Sequence, residues 1–136
     1  MKFTINVGAD RSPAQVQADA FKGDVLGYVH WREVRAALRA VGFLVAKHST
    51  LIALGASPED QEDTHIVELD VSRIPPGEVY SRIWSVAYAL HQDCIAVRVR
   101  DDSYRDPHPV VHEVLVGPCA DKWAPFNPAY FKELPC

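Results

Sequence analysis

Three stretches of the chain alternate between hydrophobic and polar residues, and each alternation predicts a β-strand. In the first, at residues 3–7, Phe3, Ile5 and Val7 share one face. The alternation returns at residues 64–71 and 93–100. Residues 43–54 are rich in apolar and β-branched side chains, and this composition predicts a further strand there.

Two other stretches show the period of an amphipathic helix. The first ends at Gly42, a position where a left-handed residue often closes a helix, and the second begins near Pro75. The predicted buried stripes are Trp31, Val34, Leu38 and Val41 in the first helix, and Val79, Ile83, Val86, Ala87 and Leu90 in the second. Ser12 and Pro13 predict an additional short helix at residues 13–21.

Apart from that short helix, the predicted order is strand, helix, strand, strand, helix, strand. This order is typical of the ferredoxin-like fold (split βαβ), an α+β fold in which a four-stranded antiparallel sheet has two main helices on one face. We therefore predict one domain over residues 1–136, with its core at about 1–100 and a polar loop at 101–112. Residues 113–136 are predicted to add a short edge strand at 114–116 and an extended tail.

The tail contains four aromatic residues and two prolines within nine positions, a composition that suits neither a helix nor a central strand. We call residues 123–136 the C-terminal strap. Its rings are predicted to dock on the core, which would make Trp123→Ala unfold the protein. The alternative is an exposed anchor for a partner. The aromatic residues are Trp123, Phe126, Tyr130 and Phe131.

Composition argues against several classes of function. The net charge of the 136 residues is −4, with acids and bases interspersed, so nucleic-acid binding is not expected. No apolar run approaches the length that crosses a bilayer, and the first residues alternate unlike a signal peptide. Three cysteines without CxxC spacing suit free thiols in the cytoplasm of a bacterial host, which is the location we expect.

The outward face of the predicted sheet offers the first candidate site. Arg98, Arg100, Glu68 and Asp70 are predicted to point away from the helices, and they are our candidate binding residues. The same pattern also suits a solvated face with cross-strand charge pairs, or a surface for a protein partner or a second copy. Nucleic-acid recognition is less favoured because the outward positions of the central strands lack aromatic residues.

Three weaker candidates remain, and in none of them does the spacing match a known catalytic pattern. His108 and His112 lie in a loop that could hold a metal, although its prolines oppose the helix that would align them. Cys94 could act as a nucleophile with His48, His65 or His91 as its base. Acidic residues at 59–63 could imitate phosphates, or simply form a solvated loop. No motif predicts a metal or a cofactor.

Three segments together resemble small uncharacterised proteins encoded by bacteriophages and other mobile elements. They are residues 64–70, residues 90–97 with their QDCIAV sequence, and residues 123–131, where Ala124 stands in place of the expected glycine. The likeness spans about residues 43–131 and supplies no catalytic residues. It implies a non-enzymatic accessory protein that binds a host protein or protein complex, such as a CRISPR defence complex. A small enzyme or a nucleotide-binding protein, with a pocket between the sheet and the strap, is the alternative, and a homodimer is expected.

Overall fold

The computed structural model describes residues 1–8, 17–18, 20–23, 28–53, 62–103, 108–127 and 131–134. Its strands are β1 (Lys2–Gly8), β2 (Leu44–Ala53), β3 (Glu62–Asp70), β4 (Ile95–Arg100) and β5 (Val110–Val116). Its main helices are α1 (Tyr28–Ala40) and α2 (Val79–Ala89), and short 3-10 turns cover Pro76–Glu78 and Ala120–Trp123.

The strands form one five-stranded antiparallel sheet in the order β2-β3-β1-β4-β5. β1 lies in the centre, with Ile5 opposite Val67 of β3 on one side and Val97 of β4 on the other. β2 and β5 are the two outer strands. Both of them show a register irregularity near their first residues.

Both helices pack on the same side of this sheet. Val34 and Leu38 of α1, and Ile83 and Val86 of α2, belong to one buried cluster with the inward side chains of β1, β3 and β4. Gly42 ends the α1 region with φ of 93°, a left-handed conformation that a side chain at this position would oppose. The alternation and the helical stripes thus place apolar residues in one shared core.

The α+β class, the antiparallel sheet and the positions of both main helices are confirmed. The edge strand predicted at 114–116 is longer than predicted. The loop expected at 101–112 ends earlier, and β5 begins at Val110. A one-residue irregularity opposite Val99 and Arg100 lets the strand continue through this stretch. Of the short helix predicted at 13–21, residues 17, 18, 20 and 21 are helical, and the others lie outside the described residues. Among the described residues, no helix has the length and apolar character needed to cross a bilayer.

Candidate binding surface

The sheet face opposite the helices is covered by the end of the C-terminal strap. Asn6 of β1 donates through Nδ2 to the carbonyl oxygen of Lys132 at 2.8 Å, and its Oδ1 accepts from the Lys132 N–H at 2.8 Å. Phe131 beside them is only 7% exposed. Ile66, which faces the same side as Asn6, is fully buried although it is not part of the helix-side cluster. The face predicted to be open is therefore closed here.

Arg98 and Arg100 are occupied by ion pairs on this covered face. Arg98 lies 2.8 Å from Glu113 of β5 and 3.2 Å from Glu133 of the strap, and its guanidinium sits 4.3 Å from the centre of the Phe131 ring. Arg100 binds Glu133 at 2.7 Å. Burial alone would raise the pKa of Glu133, but hydrogen bonds from Arg100 and Arg98 outweigh burial and lower it. These arginines hold the strap to the sheet.

The two acidic candidates serve other local contacts. Glu68 lies 3.5 Å from the ammonium of Lys2, the first residue of β1. Asp70 accepts a hydrogen bond from the Ser72 backbone N–H at 2.9 Å, and its contacts with Ser72 lower the pKa of Asp70. The four candidate residues therefore do not assemble into one exposed binding site.

The strap aromatics do not all dock on the core as predicted. Phe131 is buried and Phe126 is half-buried, whereas Tyr130 lies outside the described residues. Trp123 is 53% exposed, and its indole Nε1 donates to Asp93 Oδ2 at 2.9 Å. This bond, together with one from Lys122, lowers the pKa of Asp93. The prediction that Trp123 packs on the core is wrong, because about half of the side chain is exposed and its indole N–H bonds to Asp93.

His48 and His65 meet each other instead of Cys94. His48 Nε2 and His65 Nδ1 are 2.9 Å apart, so one ring donates a hydrogen bond to the other. Cys94 directly precedes β4, and the whole of β1 separates that strand from β3, which contains His65. His91 follows α2 with φ of 55° and an exposed side chain. The predicted pairing of Cys94 with a histidine of the sheet is therefore not formed.

The two histidines belong to a stacked cluster beneath the first turn of α1. The Trp31 indole lies parallel to the His48 ring, with 3.5 Å between their centres and 4° between their planes. His30 stacks on His65 at 5.1 Å, and the Thr50 hydroxyl lies 3.3 Å from His65 Nδ1. His65 is fully buried. The cluster joins α1 to β2 and β3, which is a structural role.

This cluster predicts a loss of stability in mild acid. Burial lowers the pKa of His48 below its ordinary value of about 6.5, so the unfolded chain takes up the proton more readily. The free energy of unfolding should therefore be highest above about pH 6.5 and fall as the pH drops below it. Urea unfolding at several pH values measures how steeply the free energy of unfolding changes with pH, which we call the pH slope. His48→Gln should flatten it, whereas His91→Asn should not; an unchanged slope in His48→Gln would contradict the assignment.

The remaining candidates yield no site among the described residues. The His112 ring contacts the Tyr80 ring at 5.7 Å, and the His108 carbonyl accepts a hydrogen bond from Arg100. Nowhere in the described ranges do three or more His, Cys, Asp or Glu residues come together in a way that could hold a metal ion. Of the acidic stretch, residues 59–61 lie outside the described residues, and residues 62 and 63 belong to β3.

An exposed aromatic row runs along α2. Tyr80, Trp84 and Tyr88 are 36%, 43% and 66% exposed, and the Trp84 and Tyr88 rings stack with centres 5.6 Å apart. Because the three residues are four positions apart, they lie on one side of the helix. Large exposed aromatic groups in contact with one another are characteristic of surfaces that bind another molecule.

The aromatic row lies on the β5 side of α2. The Arg82 guanidinium donates to the Val41 carbonyl at 2.8 Å, so that side of α2 faces α1. The Tyr80 ring contacts His112 of β5 on the opposite side. Val110 and Val111 of β5 are also exposed, at 43% and 52%. We call the surface formed by Tyr80, Trp84 and Tyr88, on the side of α2 that faces β5, the α2–β5 surface.

Sequence reasoning missed this surface although its signal is present. Tyr80, Trp84 and Tyr88 repeat every four residues beside the core stripe that contains Ile83. A helix buried on two sides would show the same four-residue spacing of large apolar residues. Only the tertiary packing reveals that no strand or helix among the described residues covers this row.

Comparison with known proteins finds no matching family model, no similar curated protein and no similar solved structure.

Proposed function

We propose that this is a non-enzymatic binding protein that contacts a macromolecular partner through the α2–β5 surface. The observation that supports the proposal is the contiguous exposure of Tyr80, Trp84 and Tyr88. Burying these groups in an interface removes apolar area from water and supplies the rigid aromatic anchors that dominate many protein complexes.

A protein fits this surface better than a nucleic acid does. None of the three residues that define it is basic, whereas phosphate binding requires clustered lysine or arginine. The resemblance to phage and mobile-element proteins makes a host protein the partner to be sought first, including the components of a CRISPR defence complex. Such a partner would present a complementary apolar groove or strand to the aromatic row.

The enzyme alternative needs a pocket between the sheet and the strap, and the contacts there do not favour it. Phe131 is buried against that face, and both polar atoms of the Asn6 side chain bond the backbone of Lys132. Arg98 and Arg100 are engaged by carboxylates. The polar groups that would orient a small substrate are already paired with the protein.

We further propose that the core is ferredoxin-like and that β5 is an addition to it. The support is the order β2-β3-β1-β4 within the antiparallel sheet, with α1 between β1 and β2 along the chain and α2 between β3 and β4. The split βαβ arrangement has the same order, which supports the proposal.

The proposed function is tested by affinity capture from a bacterial host, with identification of retained proteins by mass spectrometry. A bound protein should be lost from the double variant Trp84→Gln/Tyr88→Gln, since glutamine preserves the helix but removes both rings. Binding of the purified partner to each variant is then measured by titration, and the double variant should weaken it about a hundredfold or more.

Leu44→Gln is the matched control, because Leu44 is an exposed apolar residue on the opposite outer strand. This variant should bind the partner as the wild type does. Equal binding by the double variant, with its melting temperature unchanged, would reject the α2–β5 surface as the contact site. If the wild type retains only those proteins that blank beads also retain, the binding function itself is rejected.

A further inference from the structure

The two outer strands of the sheet differ in how well they resist pairing with another strand. β2 presents Lys47 on an exposed position, and a lysine on an edge opposes strand addition because its charge would have to be buried. β5 contains neither lysine, arginine nor proline in its seven residues. Beyond the irregularity at its start, residues 112–116 pair regularly with β4, which leaves a regular outer edge.

The charge on β5 is already neutralised. Its one acidic residue, Glu113, is held at 2.8 Å by Arg98 of the neighbouring strand. A second β5 strand laid antiparallel beside the first would therefore meet no uncompensated like charge. An edge that is neutral and apolar is complementary to a copy of itself.

We propose that in the free protein the β5 edge pairs with β5 of a second copy, so that the α2–β5 surfaces cover each other across a two-fold axis. A strand added to β5 lies about 4.8 Å away, and helices that cover such a sheet pack about 8–10 Å apart. A second copy brings its own α2 to the aromatic row of the first. A lone peptide strand would pair with the edge but leave Trp84 uncovered.

The exposed side chains on this side of the protein supply a large part of the area that a specific pair buries. A tyrosine or tryptophan side chain offers roughly 150–250 Å² of surface, so the exposed parts of the three α2 aromatics amount to roughly 300 Å² on each copy. Val110, Val111 and the β5 backbone add to this. Counted on both copies, the total approaches the roughly 1,000 Å² that separates specific interfaces from chance contacts.

The proposed pairing of two copies does not depend on the proposed function. One consequence of the pairing does rest on the proposed function. If a host protein uses the same surface, the second copy and the host protein compete, and the complex contains a monomer of this chain. The second copy would then keep the aromatic row out of water until a partner is met.

Light scattering of the purified protein at micromolar concentration tests the pairing. The wild type should have about twice the chain mass of 15.2 kDa. Val111→Lys, which places a charge on the β5 edge, and Trp84→Glu, which places one within the aromatic row, should each raise the dimer dissociation constant by about tenfold or more. Both residues are exposed, so thermal melts should show folded variants.

Leu44→Lys introduces the same charge on the other outer strand and should leave the mass doubled. A monomeric wild type overturns the inference. So does a dimer that persists in both Val111→Lys and Trp84→Glu, because its interface must then lie elsewhere. Neither result touches the proposed function, which is decided by the capture experiment with Trp84→Gln/Tyr88→Gln.

Discussion

Replacing Phe131 with alanine is expected to lower the free energy of unfolding by about 3–5 kcal/mol. Its ring is almost fully buried on the sheet face, and the Arg98 guanidinium lies 4.3 Å from its centre. The substitution removes this packing and leaves a cavity on that sheet face. It also loosens the segment that brings Glu133 to Arg98 and Arg100. The melting temperature should fall by about 10 °C or more.

Thermal and urea unfolding measure this loss, and Trp123→Ala is the control from the same strap. Because the Trp123 ring is half-exposed and its hydrogen bond goes to an exposed carboxylate, its removal should leave the melting temperature close to that of the wild type. An equal loss in both variants would show that the strap acts as one docked unit. A negligible loss in Phe131→Ala would show that the strap does not stabilise the sheet.

Gly117→Ala is expected to destabilise the protein by about 3 kcal/mol, because backbone atoms occupy the space of the new methyl group. A Cβ at Gly117 would lie 2.6 Å from the Asp93 carbonyl oxygen and 2.6 Å from the Cys94 Cα. Neither atom can rotate away as the end of a flexible side chain could. The Asp93 carbonyl also accepts a 2.9 Å hydrogen bond from the Cys119 N–H, so a shift of either segment weakens that contact.

Gly77→Ala is the matched control, since a Cβ at Gly77 meets no atom within 4 Å. Its free energy of unfolding, measured in urea, should stay within about 0.5 kcal/mol of the wild type. A Gly117→Ala protein as stable as Gly77→Ala would mean that the backbone just after β5 does not approach the backbone just before β4 as closely as described.

The elements themselves were determined locally. The stripe containing Val34 and Leu38 predicted α1, and the stripe containing Val79 and Ile83 predicted α2, because one apolar side must be buried. The alternation from Phe3 to Val7 predicted β1 in the same way. Gly42 marked the end of the first helix because few other residues accept its positive φ. In each case the residues that predict the element belong to the element itself or directly follow it.

The contacts between distant segments were decided only by the tertiary structure. Asn6 and Lys132 are 126 positions apart. No local pattern predicts that hydrogen bonds between them will cover the sheet face on which Arg98 and Arg100 lie. His48 and His65 meet because the β2–β3 register brings them together under Trp31. Periodicity fixes which residues share a side of an element, whereas the covering of that side depends on where the rest of the chain packs. For this reason the sequence could show that the aromatic residues of α2 share one side of the helix, but not that this side is exposed.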